Sequence, residues 1–278
     1  MGLGTLLRLR KPPPTVAVVR FEGVIAARRT RMTVSLASHA AALERAVRLQ
    51  GLAALAIVVN SPGGAPVQSA LLYRRIRALA EEHGVPVFAF AEDVAASGGY
   101  WLALAGDEIY AEESSLVGSI GVISAGFGFP QLIERLGIER RVHTAGENKS
   151  LLDPFRPENA DDVARLIVLQ EDIHASFKEH VQRRRAGKID AADESLFSGE
   201  VLTGRMALAR GLVDGIGDLR SVMRARFGDT VRLVPVVSDR RRWRPWSRPR
   251  PFASELPSLL AELTDWVEAR VLWSRYDL

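Results

Sequence analysis

The sequence predicts an α/β fold in which helices cover a mostly parallel β-sheet. Short, continuous apolar runs recur along the chain, separated by segments whose apolar residues have helical spacing. Strands buried on both faces are continuously apolar, and strands that alternate with helices favour parallel pairing. The chain has 278 residues, 47% of them hydrophobic, which suffices for one large core. We therefore expect one main domain.

The first half of the chain alternates strands and helices. Apolar runs predict strands over 16–21, 55–59 and 85–90. Helical spacing, as in Leu36, Ala40 and Leu43, predicts helices over 32–49 and 67–82. Each of these helices is followed by a buried strand, as a parallel sheet requires.

The second half continues this pattern up to an abrupt change of composition. The predicted elements are a helix over 100–105, a strand over 108–111, a helix over 131–136, a strand over 141–144, a long helix over 161–184, a turn, short helix and turn over 199–217, and a last strand over 231–237. The long helix has apolar positions along its whole length, from Val163 to Val181.

Composition divides the chain into three parts. Pro12 to Pro14 end a leader, 1–14, and the main domain is expected over 15–237. Beyond it, 238–278 combines a linker rich in Arg, Pro and Trp with an amphipathic helix predicted over 254–273.

Charge and composition exclude several function classes. The net charge is +4, but six arginines lie between 240 and 250, so the rest of the chain carries about −2 and nucleic-acid binding is not expected. The chain has no cysteine, which excludes thiolate catalysis and cysteine metal sites and fits a reducing compartment. No apolar run is long enough to span a membrane, and no phosphate-binding GxxxxGK[ST] motif is present. We expect a cytoplasmic protein without cofactor or metal.

Two glycine turns follow apolar runs and favour a nucleophile with an oxyanion hole. Ser97 stands in the turn 95–100, soon after the apolar run 85–90. The turn 60–64 follows the run 55–59 and ends in Gly63 and Gly64. A serine hydroxyl on a tight turn is a common nucleophile, but it needs a base to take its proton.

Histidine and lysine compete for the role of that base. The histidines are His39, His83, His143, His174 and His180. His143 is the best placed of them by position, and Lys149 follows six residues later. The chain has four lysines against 33 arginines, so a position that keeps lysine is notable. Lysine can lose its proton when buried, whereas arginine stays charged. Composition alone favours a solvated loop lysine over a catalytic one.

Five motifs in order resemble the signal peptide peptidase A family. They are NSPGG at 60–64, ASGGY at 96–100, VGSIGV at 117–122, TAGENKS at 144–150 and LTGRMALARGLVDGIG at 202–217. The resemblance covers about 15–237. It implies the Clp protease/crotonase fold, built of repeated strand-strand-helix units, and a serine endopeptidase that uses a Ser/Lys dyad on short or unfolded peptides, remnant signal peptides included, without ATP.

The resemblance also implies roles for five residues. Ser97 would be the nucleophile, Lys149 the general base, and Ser119 the hydroxyl that orients the lysine amine. The backbone N–H groups of Gly64 and Gly98 would form the oxyanion hole. Glycine lets the backbone approach a substrate carbonyl closely, and one such donor is typically worth about 2.7–4 kcal/mol in the transition state.

Half-length relatives in this family place the lysine of one protomer in the site of another. Only one copy of each motif is present here, so a homo-oligomer, octamer-like and with a dyad shared between protomers, is expected. Many relatives carry a transmembrane anchor that this chain lacks, and peripheral membrane contact through 240–273 would replace it. Packing of that helix on the protein itself or on a neighbouring subunit is at least as strong an alternative. Two other function classes also stay open, a crotonase-like acyl-CoA enzyme and a non-catalytic oligomeric scaffold.

Overall fold

The computed structural model describes residues 12–27, 33–146, 148–237 and 270–276. The strands are β1 (Thr15–Glu22), β2 (Val24–Ile25), β3 (Thr33–Val34), β4 (Leu52–Ser61), β5 (Val87–Ala96), β6 (Glu108–Ala111), β7 (Leu116–Gly118), β8 (Val201–Thr203), β9 (Gly215–Ile216) and β10 (Arg232–Pro235). The helices are α1 (Leu36–Val47), α2 (Pro66–His83), α3 (Gly98–Ala103), α4 (Pro130–Arg135), α5 (Ala160–Arg184), α6 (Gly204–Ala209) and α7 (Leu219–Phe227). Short 3-10 helices occupy Glu194–Phe197 and Ser274–Tyr276.

The main sheet is parallel along its length, as predicted. Its strand order is β10-β1-β4-β5-β6-β9. The long strand β5 pairs first with β6 and then, through its last three residues, with β7. Only β8, which pairs with β7, runs antiparallel in this sheet. The α/β class and the mostly parallel sheet predicted from the sequence are therefore confirmed.

Two apolar cores cover the two faces of the sheet. The larger contains alternate residues of β1, namely Ala17, Val19 and Phe21, with the buried sides of α1, α2 and α3. The smaller contains Val16, the other face of β4 and β5, and Met223 of α7. Strands buried on both faces explain why their sequences are continuously apolar.

Local capping explains where the first two helices begin and end. Ser35 forms a capping box with Ser38, so α1 begins at Leu36 and not at the predicted start, residue 32. Pro66 stands at the first position of α2, and Gly84 ends that helix in a left-handed conformation. These caps fix the helices that lie behind the two glycine turns.

A long insertion, residues 121–176, stands apart from both cores, and we call it the arm. It contains α4 and the first part of α5. Ile120 is fully buried and Phe177 is 3% exposed, yet none of the described residues between them is buried. The remaining described residues between 12 and 237 form what we call the body.

The arm contains the clearest failure of the fold prediction. The strand predicted over 141–144 is irregular and not buried. No neighbouring strand supplies hydrogen bonds to these residues within the described ranges, so the alternation of strands and helices on which the prediction rested does not continue here. The apolar positions in the first half of α5 are likewise not buried, and only Phe177, His180 and Val181 of this helix are.

Five short strands were missed, among them β2 and β3, of which β3 lies within the predicted helix 32–49, and the terminal segments lie mostly outside the description. β7 was not predicted, and the turn, helix and turn expected over 199–217 also contain β8 and β9. The expected leader, 1–14, and the expected tail, 238–278, fall mainly on residues that the structure does not describe. In the described ranges, no helix is both long and apolar enough to cross a membrane.

Candidate active site

Ser97 begins the helix that follows the central strand β5. Residues 95 and 96 are still strand, so the chain reverses at Ser97 itself, which has φ of 52° and ψ of −120°. Such a conformation in a residue other than glycine costs about 1–3 kcal/mol. The Ser97 N–H donates to the Gly118 carbonyl at 2.8 Å, and the Ser97 carbonyl accepts from the Trp101 N–H at 3.0 Å. The half-buried hydroxyl is therefore held at the carboxyl edge of the sheet.

The second glycine turn lies directly against Ser97. A Cβ added to Gly63 would stand 2.8 Å from both the Ser97 Cβ and the Gly98 nitrogen. A Cβ added to Gly98 would stand 3.3 Å from the Gly64 nitrogen. Only residues without side chains allow the two turns to approach so closely.

The N–H groups of Gly64 and Gly98 are both free to bind a ligand. Neither donates to a protein acceptor within the described ranges, although the neighbouring N–H groups of Gly63 and Ala65 do. Two adjacent, unpaired backbone donors beside a serine hydroxyl are what an oxyanion hole requires.

Strand β2 holds the Gly64 turn from the outside. The Ile25 N–H donates to the Gly63 carbonyl at 2.8 Å, and the Ile25 carbonyl accepts from Ala65 at 2.7 Å. A Cβ on Gly64, whose φ is 137°, would lie only 2.1 Å from the Ile25 oxygen. Sequence reasoning missed Ile25, since a two-residue strand after Gly23 gives little signal.

Ser119 lies beside Ser97 because of the strand register. Ala96, the last residue of β5, pairs in parallel with Gly118, the last residue of β7. The residue that follows each strand is a serine. Ser119 also has a positive φ, 51°, and its N–H donates to the Glu200 carbonyl at 2.7 Å. The structure thus brings Ser97, Gly98, Gly64 and Ser119 to one edge of the sheet.

Lys149 is the one predicted site residue that this edge does not include. It lies in a turn of the arm, where its N–H donates to the Gly146 carbonyl at 3.4 Å, and its side chain is exposed. No hydrogen bond joins its amine to either serine in the described part of the chain. A lysine serves as a base only when burial or neighbouring charge favours its neutral form.

None of the five histidines hydrogen-bonds to Ser97 in the ranges that the structure describes. His39 stacks on Phe21 with ring centroids 4.7 Å apart, and burial lowers its pKa. His180 is buried beside Trp101, and burial together with the charges of Arg183 and Arg184 lowers its pKa to about 4. His83 and His143 are exposed, and His174 bonds to the Ile120 carbonyl.

The far side of α3 is anchored by a buried polar group. Burial raises the pKa of Tyr100, whose hydroxyl donates to the Leu212 carbonyl at 2.7 Å. Nearby, burial would raise the pKa of Asp214, but hydrogen bonds from Arg185 and Lys188 outweigh it and lower that pKa. These contacts fix the helix that carries Gly98.

Comparisons with known proteins identify the family. The family model described as Peptidase family S49 matches residues 80–227, which is more than half of the chain. The chain belongs to peptidase family S49. The resemblance seen in the five motifs is therefore confirmed at the level of the family.

Several curated relatives of this S49 chain are larger proteins. A Brucella abortus protein named Na(+)/H(+) antiporter NhaA is 50% identical over 98% of the chain, which spans 38% of that protein. The chloroplastic serine protease SPPA of Arabidopsis thaliana is 36% identical over 59% of the chain and 24% of its own length. A putative signal peptide peptidase SppA of Enterococcus faecium is 31% identical over 57% of the chain and 46% of its own length. The S49 chain thus spans less than half the length of each of these relatives.

A solved structure shares the fold. The 1510-N membrane-bound stomatin-specific protease, in a mutant form, superposes with a TM-score of 0.50 at 16% identity, covering 82% of this chain and 99% of that one. A second mutant of that protease, in complex with a substrate peptide, gives the same TM-score at 14% identity.

Proposed function

We propose that this chain is an ATP-independent serine endopeptidase that cleaves short or unfolded peptides, remnant signal peptides among them. The observation that carries the proposal is the Ser97 hydroxyl beside the two unpaired N–H groups of Gly64 and Gly98. Membership in peptidase family S49 supports the same reaction.

In the proposed mechanism, Lys149 takes the proton of Ser97 as its oxygen attacks the scissile carbonyl. The resulting oxyanion accepts hydrogen bonds from Gly64 and Gly98, and Ser119 orients the lysine amine. The protonated lysine then gives the proton to the leaving nitrogen, the C–N bond breaks, and the new amine terminus leaves as part of the first product. Water attacks the remaining ester by the same route and frees Ser97.

Peptide cleavage by a nucleophile variant tests this proposal. Ser97→Ala should lower kcat by about a thousandfold or more, because removal of a nucleophile leaves only the oxyanion hole and binding. The control is Ser114→Ala, which removes an exposed hydroxyl elsewhere in the body. Equal cleavage by Ser97→Ala and wild type would refute the proposal. Turnover of an acyl-CoA ester without peptide cleavage would favour the crotonase-like alternative, and neither activity would favour a scaffold.

We further propose that the site is completed in a homo-oligomer, octamer-like, in which one protomer supplies Lys149 to the serines of another. Three features of the arm support this assembly. The Lys149 side chain is exposed, no described arm residue is buried, and the arm borders an open groove of about 1650 Å³. The large exposed apolar residues of the arm are Ile123, Phe127, Phe129, Leu132, Leu136, Ile138, Phe155, Ile167, Val168 and Leu169. Burial of such a surface against a second copy would favour association.

Subunit mixing separates a shared dyad from one within a single chain. When Ser97→Ala and Lys149→Ala proteins exchange subunits at equal amounts, random pairing should restore roughly a quarter of the wild-type activity. Mixing Ser97→Ala with a Ser97→Ala/Lys149→Ala protein is the control and should restore none. Absence of rescue despite demonstrated exchange would place the dyad within one chain.

We also propose that the protein is cytoplasmic and works at the inner membrane face through residues 240–273. The arginines and tryptophans of 240–250 suit an anionic surface. The Brucella relative named as an antiporter contains the region similar to this chain. The full chain should float with anionic liposomes, and a version that ends at residue 238 should not. Equal flotation of the two would refute the role of the tail.

A further inference from the structure

The two ends of the arm meet beside Ser119. The chain enters the arm after Ile120 and returns to the core at Phe177, both of which are buried. At this root, the His174 Nε2 lies 3.2 Å from the Ile120 carbonyl oxygen. Every other side-chain hydrogen bond recorded for the described arm residues joins two residues of the arm itself.

The segment from Gly118 to Ile120 is fixed at each of its three residues by a different part of the molecule. The Gly118 carbonyl accepts from the N–H of Ser97 itself, and the Ser119 N–H donates to Glu200, next to β8. The third attachment is the His174 bond to Ile120. Since Ser119 has a positive φ, the turn keeps its shape only while its surroundings hold it.

The chemistry of the contact determines the state of the imidazole. A carbonyl oxygen only accepts hydrogen bonds, so His174 Nε2 must carry the proton. Both the neutral ring with hydrogen on Nε2 and the imidazolium satisfy this requirement. The contact therefore depends on a ring N–H donor and not on charge.

The same stretch of α5 also contacts the helix behind Ser97. The Phe177 ring stacks on Trp101 of α3 with ring centroids 4.8 Å apart. The His180 ring also stacks on Trp101, with centroids 4.9 Å apart. The backbone N–H of Trp101 in turn donates to the Ser97 carbonyl. The segment 174–180 of α5 thus contacts Ile120, which follows Ser119, and Trp101, which hydrogen-bonds to Ser97.

We propose that His174 is a positioning residue that fixes the Ser119 turn to the root of the arm, so that the placement of the arm is transmitted to the active site. This role rests on the proposed peptidase function. It explains how a segment outside the core can affect a site whose serines belong to the body. His174 itself contacts no reacting atom.

Three variants of the full-length protein test the proposal. His174→Phe keeps a ring and removes the donor, while His174→Gln keeps an N–H donor on a flexible chain. His143→Phe, at an exposed arm histidine, is the matched control. The measurements are kcat and KM for one peptide, together with amide hydrogen exchange of residues 117–122, all compared in the same assembly state.

Because His174→Phe loses one hydrogen bond, its kcat should be about fivefold lower than that of wild type, with little change in KM. Amide hydrogen exchange of residues 117–122 should be about fivefold faster. The glutamine variant should return both values to within about twofold of wild type, and the control should match wild type. If His174→Phe does not fold, His174→Leu replaces it in the same comparison.

Unchanged exchange in the variant without the donor would overturn the proposal, whatever its kcat. So would a glutamine variant as impaired as the phenylalanine one. If wild type cleaves no peptide, the peptidase proposal fails, and the exchange comparison alone decides the role of His174.

Discussion

The body of this chain buries its apolar side chains, whereas the arm leaves many of its own exposed. In the body, strands such as β4 and β5 are buried on both faces, and the serine turns are held by backbone hydrogen bonds. In the arm, no described residue is buried, and Phe127 and Leu136 are 77% and 64% exposed. Yet each region carries part of the predicted dyad, Ser97 in the body and Lys149 in the arm.

This difference shows which parts of the site one chain can organise alone. The two serines and the two N–H donors depend on strand register and close backbone contact, which the body provides. In the proposed role of base, Lys149 needs burial or a neighbouring positive charge to favour its neutral form, and the arm of a single chain leaves it exposed. Three experiments test this contrast.

The largest effect is expected from a methyl group at the oxyanion turn. Gly64→Ala should lower kcat about a hundredfold or more, because its Cβ would meet the Ile25 oxygen and displace a donor. Gly137→Ala is the control in the arm, since Gly137 also has a positive φ, 66°, but has open space around it. Peptide kinetics of the two variants check this, and similar kcat values would contradict the close packing described here.

Leucine truncation compares the two regions by their stability. Leu43→Ala in the body should lower the free energy of unfolding by about 3 kcal/mol, the usual cost of a buried leucine. Leu136→Ala in the arm should change it by less than about 0.5 kcal/mol in dilute, monomeric protein. Urea unfolding measures both, and sedimentation should show weaker association for Leu136→Ala at high concentration. An equal loss in the two monomers would mean that the arm has a core of its own.

The smallest effect is a pH dependence that the body should show through His180. Because burial lowers the pKa of His180 from 6.5 to about 4, the unfolded chain binds the proton first as the pH falls. Stability is therefore lost below about pH 6.5 and this loss levels off below about pH 4, reaching about 2 kcal/mol between pH 7.5 and pH 5. His180→Phe should reduce this loss, while His83→Phe, at an exposed histidine, should not. Identical slopes in urea unfolding for both variants would refute the assignment.

The sequence predicted the long strands of the body because their signals are local. The apolar run 16–21 predicted β1 to within one residue at each end, the run 55–59 predicted the middle of β4, and the position of Ser97 after an apolar run indicated its place at a strand end. β5 itself runs to Ala96, six residues past the predicted end, because Glu92 and Asp93 interrupt the apolar pattern without ending the strand. The family resemblance added Ser119, which no local pattern distinguishes.

The arm could not be predicted because its burial is not decided by its own sequence. Helical spacing in α5 is the same before and after His174, yet only the later part is buried. The alternation of helices and strands likewise indicated a strand over 141–144, where the described residues provide no partner strand. The roles of Ile25 and His174 depend on contacts between segments distant in the chain, which periodicity does not report.

The pairing of β10 with β1 has a consequence for how the protein is made. Thr15 pairs with Arg232, so the first strand of the sheet has only one neighbour until the last strand has been synthesised. A nascent chain would expose the edge of β1 throughout that time, and open strand edges favour aggregation. Truncation before β10 should therefore yield insoluble protein even though every site residue is present.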